Sequence, residues 1–199
     1  MPRNNVLEVP SSHPMYKWLK LLKYVELTYE DISLKAGYYK GKVSNLIKTL
    51  SEPKIHTIFR ISRVMGLSDG ETGSILGDCV TAFGVKVKPP SEHYMKGYAE
   101  TQNYKVINIY FPLWVKEVQS KNVSVSEIEY RTGLCEYQVR TTLNTLSMSN
   151  IAVVFAISRS VGITDERTGE LCGRGIENLP EQPKPEVIKK VKKKVRGKG

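Results

Sequence analysis

This chain contains the same segment twice, and that constrains its fold more than any other feature. Residues 16–77 align with residues 112–173 at a constant offset of 96 positions, without a gap, and 18 of the 62 positions are identical. The matches fall on residues with demanding roles: Trp18 on Trp114, Gly37 on Gly133, Phe59 on Phe155, Arg63 on Arg159, Gly66 on Gly162 and Gly73 on Gly169. A repeat of this kind is one supersecondary unit used twice. Any fold proposed for the first copy must therefore also suit the second.

Both copies carry helical periodicity. In the first, Trp18, Leu19, Leu22 and Val25 form an apolar stripe. Thr28 followed by Asp31 has the form of a capping box with the shorter acid and marks a second helix. Ile32 and Ala36 face inward, Ser33 is small where two helices must approach closely, and Gly37 is the left-handed residue that ends the helix. A third helix buries Val43, Leu46, Ile47 and Leu50 and is broken at Ser51-Glu52-Pro53. A fourth, with Ile55, Ile58, Phe59, Ser62 and Met65 inside, ends at Gly66, and a short fifth spans 68–76.

The second copy repeats the order. Leu113, Trp114 and Val118 form its first stripe, and Ser124 with Glu127 makes a full capping box. Ile128, Gly133, Val139, Leu143 and Leu146 follow, then Ile151, Val154, Phe155, Ser158 and Val161. Glu129 replaces the small Ser33, so the helix crossing is expected to widen or the side chain to snorkel outward. Ser149 stands where the first copy has Pro53.

Composition limits the partners. The 199 residues carry a net charge of +10, unevenly placed. Residues 16–77 have ten Lys/Arg and six acids (+4), 112–173 have six and seven (−1), and 174–199 have nine and three (+6). Such a balance favours an anionic partner, with nucleic acid ahead of a membrane surface. No run of 18 apolar residues predicts a membrane span, and the N-terminus lacks the pattern of a signal peptide. A cytoplasmic protein is expected, nucleoid-associated when bound to DNA. Cys79, Cys135 and Cys172 are odd in number and widely spaced, which suits reduced thiols. His13, His56 and His93 are isolated, so neither a metal nor a cofactor is expected. Neither a nucleophilic triad nor a phosphate-binding glycine loop stands in a suitable setting, so an enzyme is not expected.

Two short helices joined at a glycine, the second presenting cations and amides outward, form a helix-turn-helix arrangement. Residues 27–67, LTYEDISLKAGYYKGKVSNLIKTLSEPKIHTIFRISRVMGL, resemble the lambda-repressor-like (Xre/Cro-type) helix-turn-helix family over their whole length. The resemblance rests on Leu27-Thr28, Ile32, Ser33, Gly37, Val43, Leu46, Pro53 and Gly66. Tyr29 departs from it, standing where the family often has Gln. The resemblance implies DNA-facing positions at Tyr29, Lys35, Tyr39, Lys40, Gly41, Lys42, Ser44, Asn45 and Lys48 in copy one. In copy two it implies Arg131, Cys135, Glu136, Tyr137, Gln138, Arg140 and Thr141. Lys and Arg there can donate to guanine or phosphate, Asn45 and Gln138 can pair with adenine, and Glu136 can accept from cytosine. Lys54 and Arg60 would add phosphate contacts. Because copy two is acidic and Glu129 breaks the pattern, its outer face is read as either a weaker DNA reader or a dimerisation or partner-binding surface.

The expected organisation is all-α: an arm over 1–15, tandem helix-turn-helix domains of about five helices each over 16–78 and 110–175, and a connection over 79–109. That connection, helical from Ser91 in one reading, could span up to about 100 Å and so does not fix the geometry between copies. Residues 176–199 form a basic tail, disordered alone, in which Lys189, Lys190, Lys192, Lys193, Lys194 and Arg196 are expected phosphate contacts. The expected function is that of a sequence-specific regulator binding double-stranded DNA, of bacterial, phage or mobile-element origin. Two rivals stand beside it: a DNA-architectural or accessory protein for partition, replication or excision, and a protein-interaction antiactivator. The expected partners are double-stranded DNA and, through copy two, a second chain or another protein; no membrane is expected.

Overall fold

Each copy begins with a helix built around a tryptophan. These are α1 (Tyr16–Leu21), continued by a 3-10 turn at Leu22–Tyr24, and α7 (Pro112–Ser120). Both indoles are fully buried, and a buried N–H must find an acceptor. Trp18 Nε1 donates to Ser62 Oγ at 2.8 Å, and Trp114 Nε1 donates to Ser158 Oγ at 2.9 Å. A serine on the inner face of each fourth helix is thereby explained. Leu113, expected in the apolar stripe of α7, is exposed instead, and Val115 takes the inward place.

In the computed structural model, which describes residues 8–49, 53–82, 86–95, 111–145 and 150–176, all regular structure is helical. Copy one continues with α2 (Tyr29–Lys35), α3 (Lys42–Lys48), α4 (Ile55–Val64) and α5 (Asp69–Ala82). A short α6 (Glu92–Met95) follows in the connection. Copy two continues with α8 (Val125–Thr132), α9 (Glu136–Thr145), α10 (Ile151–Ser160) and α11 (Asp165–Ile176). Leu50, Leu146 and Ser149 lie outside the described residues. Gly37 (φ 80°) and Gly133 (φ 72°) make the left-handed turns between the second and third helices.

The capping boxes reverse the expectation. Thr28 and Asp31 form the complete reciprocal box on α2. On α8, Ser124 Oγ accepts from Glu127 N at 3.1 Å, but the Glu127 carboxylate is engaged elsewhere. Residues 8–15 are also more than an irregular arm. Val9, His13 and Met15 are buried, and His13 Nδ1 accepts from Met15 N at 2.9 Å. That fixes the tautomer, so Nε2 donates to the Leu46 carbonyl at 3.1 Å, and the lead-in is pinned to the end of α3.

The fifth helices run longer than expected and hold the copies together. α5 and α11 make the most extensive contact between any two helices, and α5 also meets α10 while α11 meets α4. They cross where Gly73 faces Gly169. A Cβ built on Gly73 would lie 2.4 Å from Asp165 O and 2.7 Å from Gly169 Cα, and one on Gly169 would lie 2.3 Å from Asp69 O and 2.6 Å from Gly73 Cα. Only two glycines permit backbones to approach this closely. One turn on, Gly77 leaves room for the Asp165 carboxylate and Gly173 for that of Asp69.

Arginines close the joint from both sides. Arg63 holds Asp69 in a two-pronged pair (Nε–Oδ1 3.0 Å, Nη2–Oδ2 2.8 Å) and donates across the joint to Gly173 O at 2.8 Å. Arg159 holds Asp165 likewise (2.8 Å, 2.8 Å) and donates to Gly77 O at 2.7 Å. Each contact has a counterpart in which the copies exchange roles, which is the signature of a two-fold relation. It is this joint, not the connection, that fixes the geometry between the copies. One continuous apolar core runs through both.

Candidate nucleic-acid interface

The outward face of α3 follows from what holds α3 in place. Val43, Leu46 and Ile47 are buried, so helical spacing turns Lys48 and Asn45 outward. Ser33 is the linchpin between α2 and α3. Its hydroxyl donates to Tyr29 O at 2.6 Å and accepts from Val43 N at 3.1 Å, satisfying one of the amides left without an intrahelical partner at the start of α3.

Of the expected copy-one positions, Lys35, Tyr39, Lys40, Asn45 and Lys48 are exposed, and Gly41, Lys42 and Ser44 are half-buried. Asn45 Nδ2 donates to the Tyr39 hydroxyl at 2.9 Å, which orients the amide on the open face. Lys42 stands over the Tyr38 ring at 5.7 Å, and Lys40 pairs with Glu30 at the surface. Such a solvent-exposed pair contributes little to stability and yields readily to a stronger anion. Lys54 is exposed and Arg60 half-buried nearby in the chain. Tyr29 does not belong with these residues. It is only 7% exposed, and burial pushes its hydroxyl above the usual tyrosine range. It serves the core, not the surface.

Copy two differs at every one of these points. Glu136, Tyr137, Gln138 and Arg140 are exposed on α9, and Thr141 is half-buried. Arg140 Nε donates to Glu136 Oε1 at 2.6 Å, so acid and base four residues apart neutralise each other. Gln138 Oε1 accepts from Cys135 N at 3.1 Å and caps the start of α9. Glu129 does not snorkel clear: it is partly buried, with Oε1 enclosed and without a hydrogen-bond partner.

Arg131, expected to face DNA, is buried. Its Nε donates to Glu127 Oε1 at 2.7 Å and its Nη1 to the Ser160 carbonyl. Glu127 also accepts from the Ser91 main-chain N–H at 2.9 Å and from the Ser91 hydroxyl. Burial alone would raise the Glu127 carboxyl, but Ser91 and Arg131 outweigh it and hold it below its ordinary value. A carboxyl lowered in the folded state stabilises the fold above its unfolded pKa, and that stability is lost as pH falls through the folded value. Glu127→Gln is expected to cost about 3 kcal/mol at neutral pH by leaving Arg131 buried and uncompensated. Melting curves of both proteins on acidification below about pH 4.3 should converge. A gap that stays constant with pH would contradict this role.

The tail positions Lys189, Lys190, Lys192, Lys193, Lys194 and Arg196 lie outside the described residues. Within the described residues, no helix is long and apolar enough to cross a membrane. Arg63 and Arg159 stand out in the sequence only as a repeat match; their role, holding Asp69 and Asp165 and bonding across the joint, depends on partners the sequence does not place. In comparison with known proteins, no family model, no curated protein and no solved structure matches the chain.

Proposed function

We propose that the protein is a sequence-specific regulator that binds double-stranded DNA through the third helices of two helix-turn-helix units. The observation that carries this reading is the pairing of an exposed, cation- and amide-bearing α3 with a reciprocal joint that sets α3 and α9 in two-fold relation. A B-form duplex has its own local two-fold axes, and paired recognition helices read half-sites about 34 Å apart along it. A single chain then does what otherwise takes two. Because the joint is reciprocal, the half-sites would be inverted, not direct repeats. Because α3 and α9 differ in charge, they would also be unlike in sequence.

Phosphate contacts from Lys35, Lys48 and Lys54 would supply affinity that falls with salt, and Lys40, Lys42 and Asn45 would supply base readout. Selection of duplexes from a random pool by the intact chain tests this. One bipartite sequence should be enriched. No enrichment at low salt would end the proposal.

A second reading, in which copy two binds a protein partner, is favoured by one observation: the Glu136–Arg140 pair neutralises the cation on the face of α9. Enrichment of a single half-site only, with affinity unaffected by substitutions on α9, would favour it over the bipartite reading.

A further inference from the structure

The connection between the copies leaves a charged strap on copy two. Residues 86–91 follow α5 and are fastened to α8 at three points. Lys88 N donates to Arg131 O at 2.7 Å, Ser91 N donates to Glu127 Oε1 at 2.9 Å, and the Ser91 hydroxyl bonds the same carboxylate. Pro89 restricts Lys88 to extended backbone. Exposure alternates to match: Lys86 and Lys88 are exposed while Val87 between them is half-buried. Residues two apart on an extended segment share a face, so both ammonium groups stand on the outer side. Lys88 Nζ lies 5.3 Å from the centre of the exposed Tyr130 ring, which steadies it without withdrawing it from solvent.

This strap stands where copy two lacks charge of its own. In the repeat register Arg131 corresponds to Lys35. Lys35 is exposed in copy one, whereas Arg131 is consumed by Glu127 and the Ser160 carbonyl. The carbonyl of that same Arg131 receives the Lys88 N–H, so a new lysine is delivered to the end of α8, two residues before the Gly133 turn into α9. We infer that Lys86 and Lys88 are the phosphate-binding cations of copy two, supplied from outside the repeat by the connection to replace those its own helices have buried or neutralised. The strap thereby makes an acidic copy competent to sit on a polyanion. The inference rests on the DNA-binding reading above and adds to it two residues outside both repeats.

The test uses the full chain and the duplex enriched from the random pool. Lys86→Ala/Lys88→Ala should lower the slope of log affinity against log salt by about 1.8, the loss of two phosphate contacts. Backbone protection should weaken on copy two's half-site and persist on copy one's. Ser91→Ala, which loosens the strap but keeps both lysines, should reproduce part of the loss. An unchanged slope and footprint in the lysine variant, with Lys40→Glu/Lys42→Glu still weakening binding, would overturn the inference and leave the DNA reading standing. If neither variant alters binding, the DNA reading itself fails and the inference with it. Both lysines are exposed and their side chains bond nothing in the core, so substitution should leave the melting temperature unchanged.

Discussion

Replacing Gly73 with alanine is expected to destabilise the protein by about 2 kcal/mol or more, lowering its melting temperature by about 4–8 °C. The reason is geometric. The added carbon would meet Asp165 O at 2.4 Å and Gly169 Cα at 2.7 Å, and both are backbone atoms that no rotamer change can move aside. α5 and α11 would have to separate, which would stretch the Arg63–Gly173 and Arg159–Gly77 bonds together. In an ordinary helix interior the same change would stabilise by about 0.5–1 kcal/mol, so the sign of the effect reports the close crossing. Gly70 is the internal control. A carbon there would meet only the flexible side chains of Glu166, at 3.2 Å, and Glu170, at 3.8 Å, and Gly70→Ala should be neutral or stabilising. Thermal melting of the two variants checks the pair. A harmless Gly73→Ala would mean that α5 and α11 do not cross as described.

The largest functional effect is expected from Lys40→Glu/Lys42→Glu. The substitution changes the charge on the proposed DNA-facing side of copy one by four and puts acids where phosphates or guanine edges would lie. Binding of the selected duplex should weaken by about two to three orders of magnitude, with the salt slope reduced by about 1.8. The fold should hold. Lys40 is exposed, its surface pair with Glu30 is worth little, and Lys42 stacks on Tyr38 without entering the core. Titration of a labelled duplex at two salt concentrations measures the effect, with circular dichroism to confirm intact helices. Undiminished binding would move the interface away from α3.

Much of this architecture was legible in the sequence because it depends on local rules. The Trp18, Val43 and Phe59 stripes, the Thr28 cap and the Gly37 turn follow from periodicity and backbone preference, and each element sits where those rules place it. What was not legible depends on long-range partners. Nothing in the spacing of Arg131 distinguishes a surface cation from one buried by Glu127 four residues earlier; only the arrival of Ser91 from the connection settles which it is. Tyr29 likewise reads as an amphipathic surface residue until its burial is seen. His13 reads as isolated because the carbonyls facing its Nε2 lie 33 and 36 residues away.

The glycines carried a signal that was open to reading. Gly73 and Gly77 recur as Gly169 and Gly173 within helices that glycine weakens, so a compensating close approach was the natural inference.

The claim on which everything else rests is that one chain reads DNA as a two-fold pair. Footprinting the intact chain on the selected duplex, with the stoichiometry of the complex measured by analytical ultracentrifugation, tests it most directly. One chain per duplex and two protected segments, inverted and unlike, about 34 Å apart, are expected. Two chains per duplex with identical half-sites, or two segments in direct repeat, would contradict it.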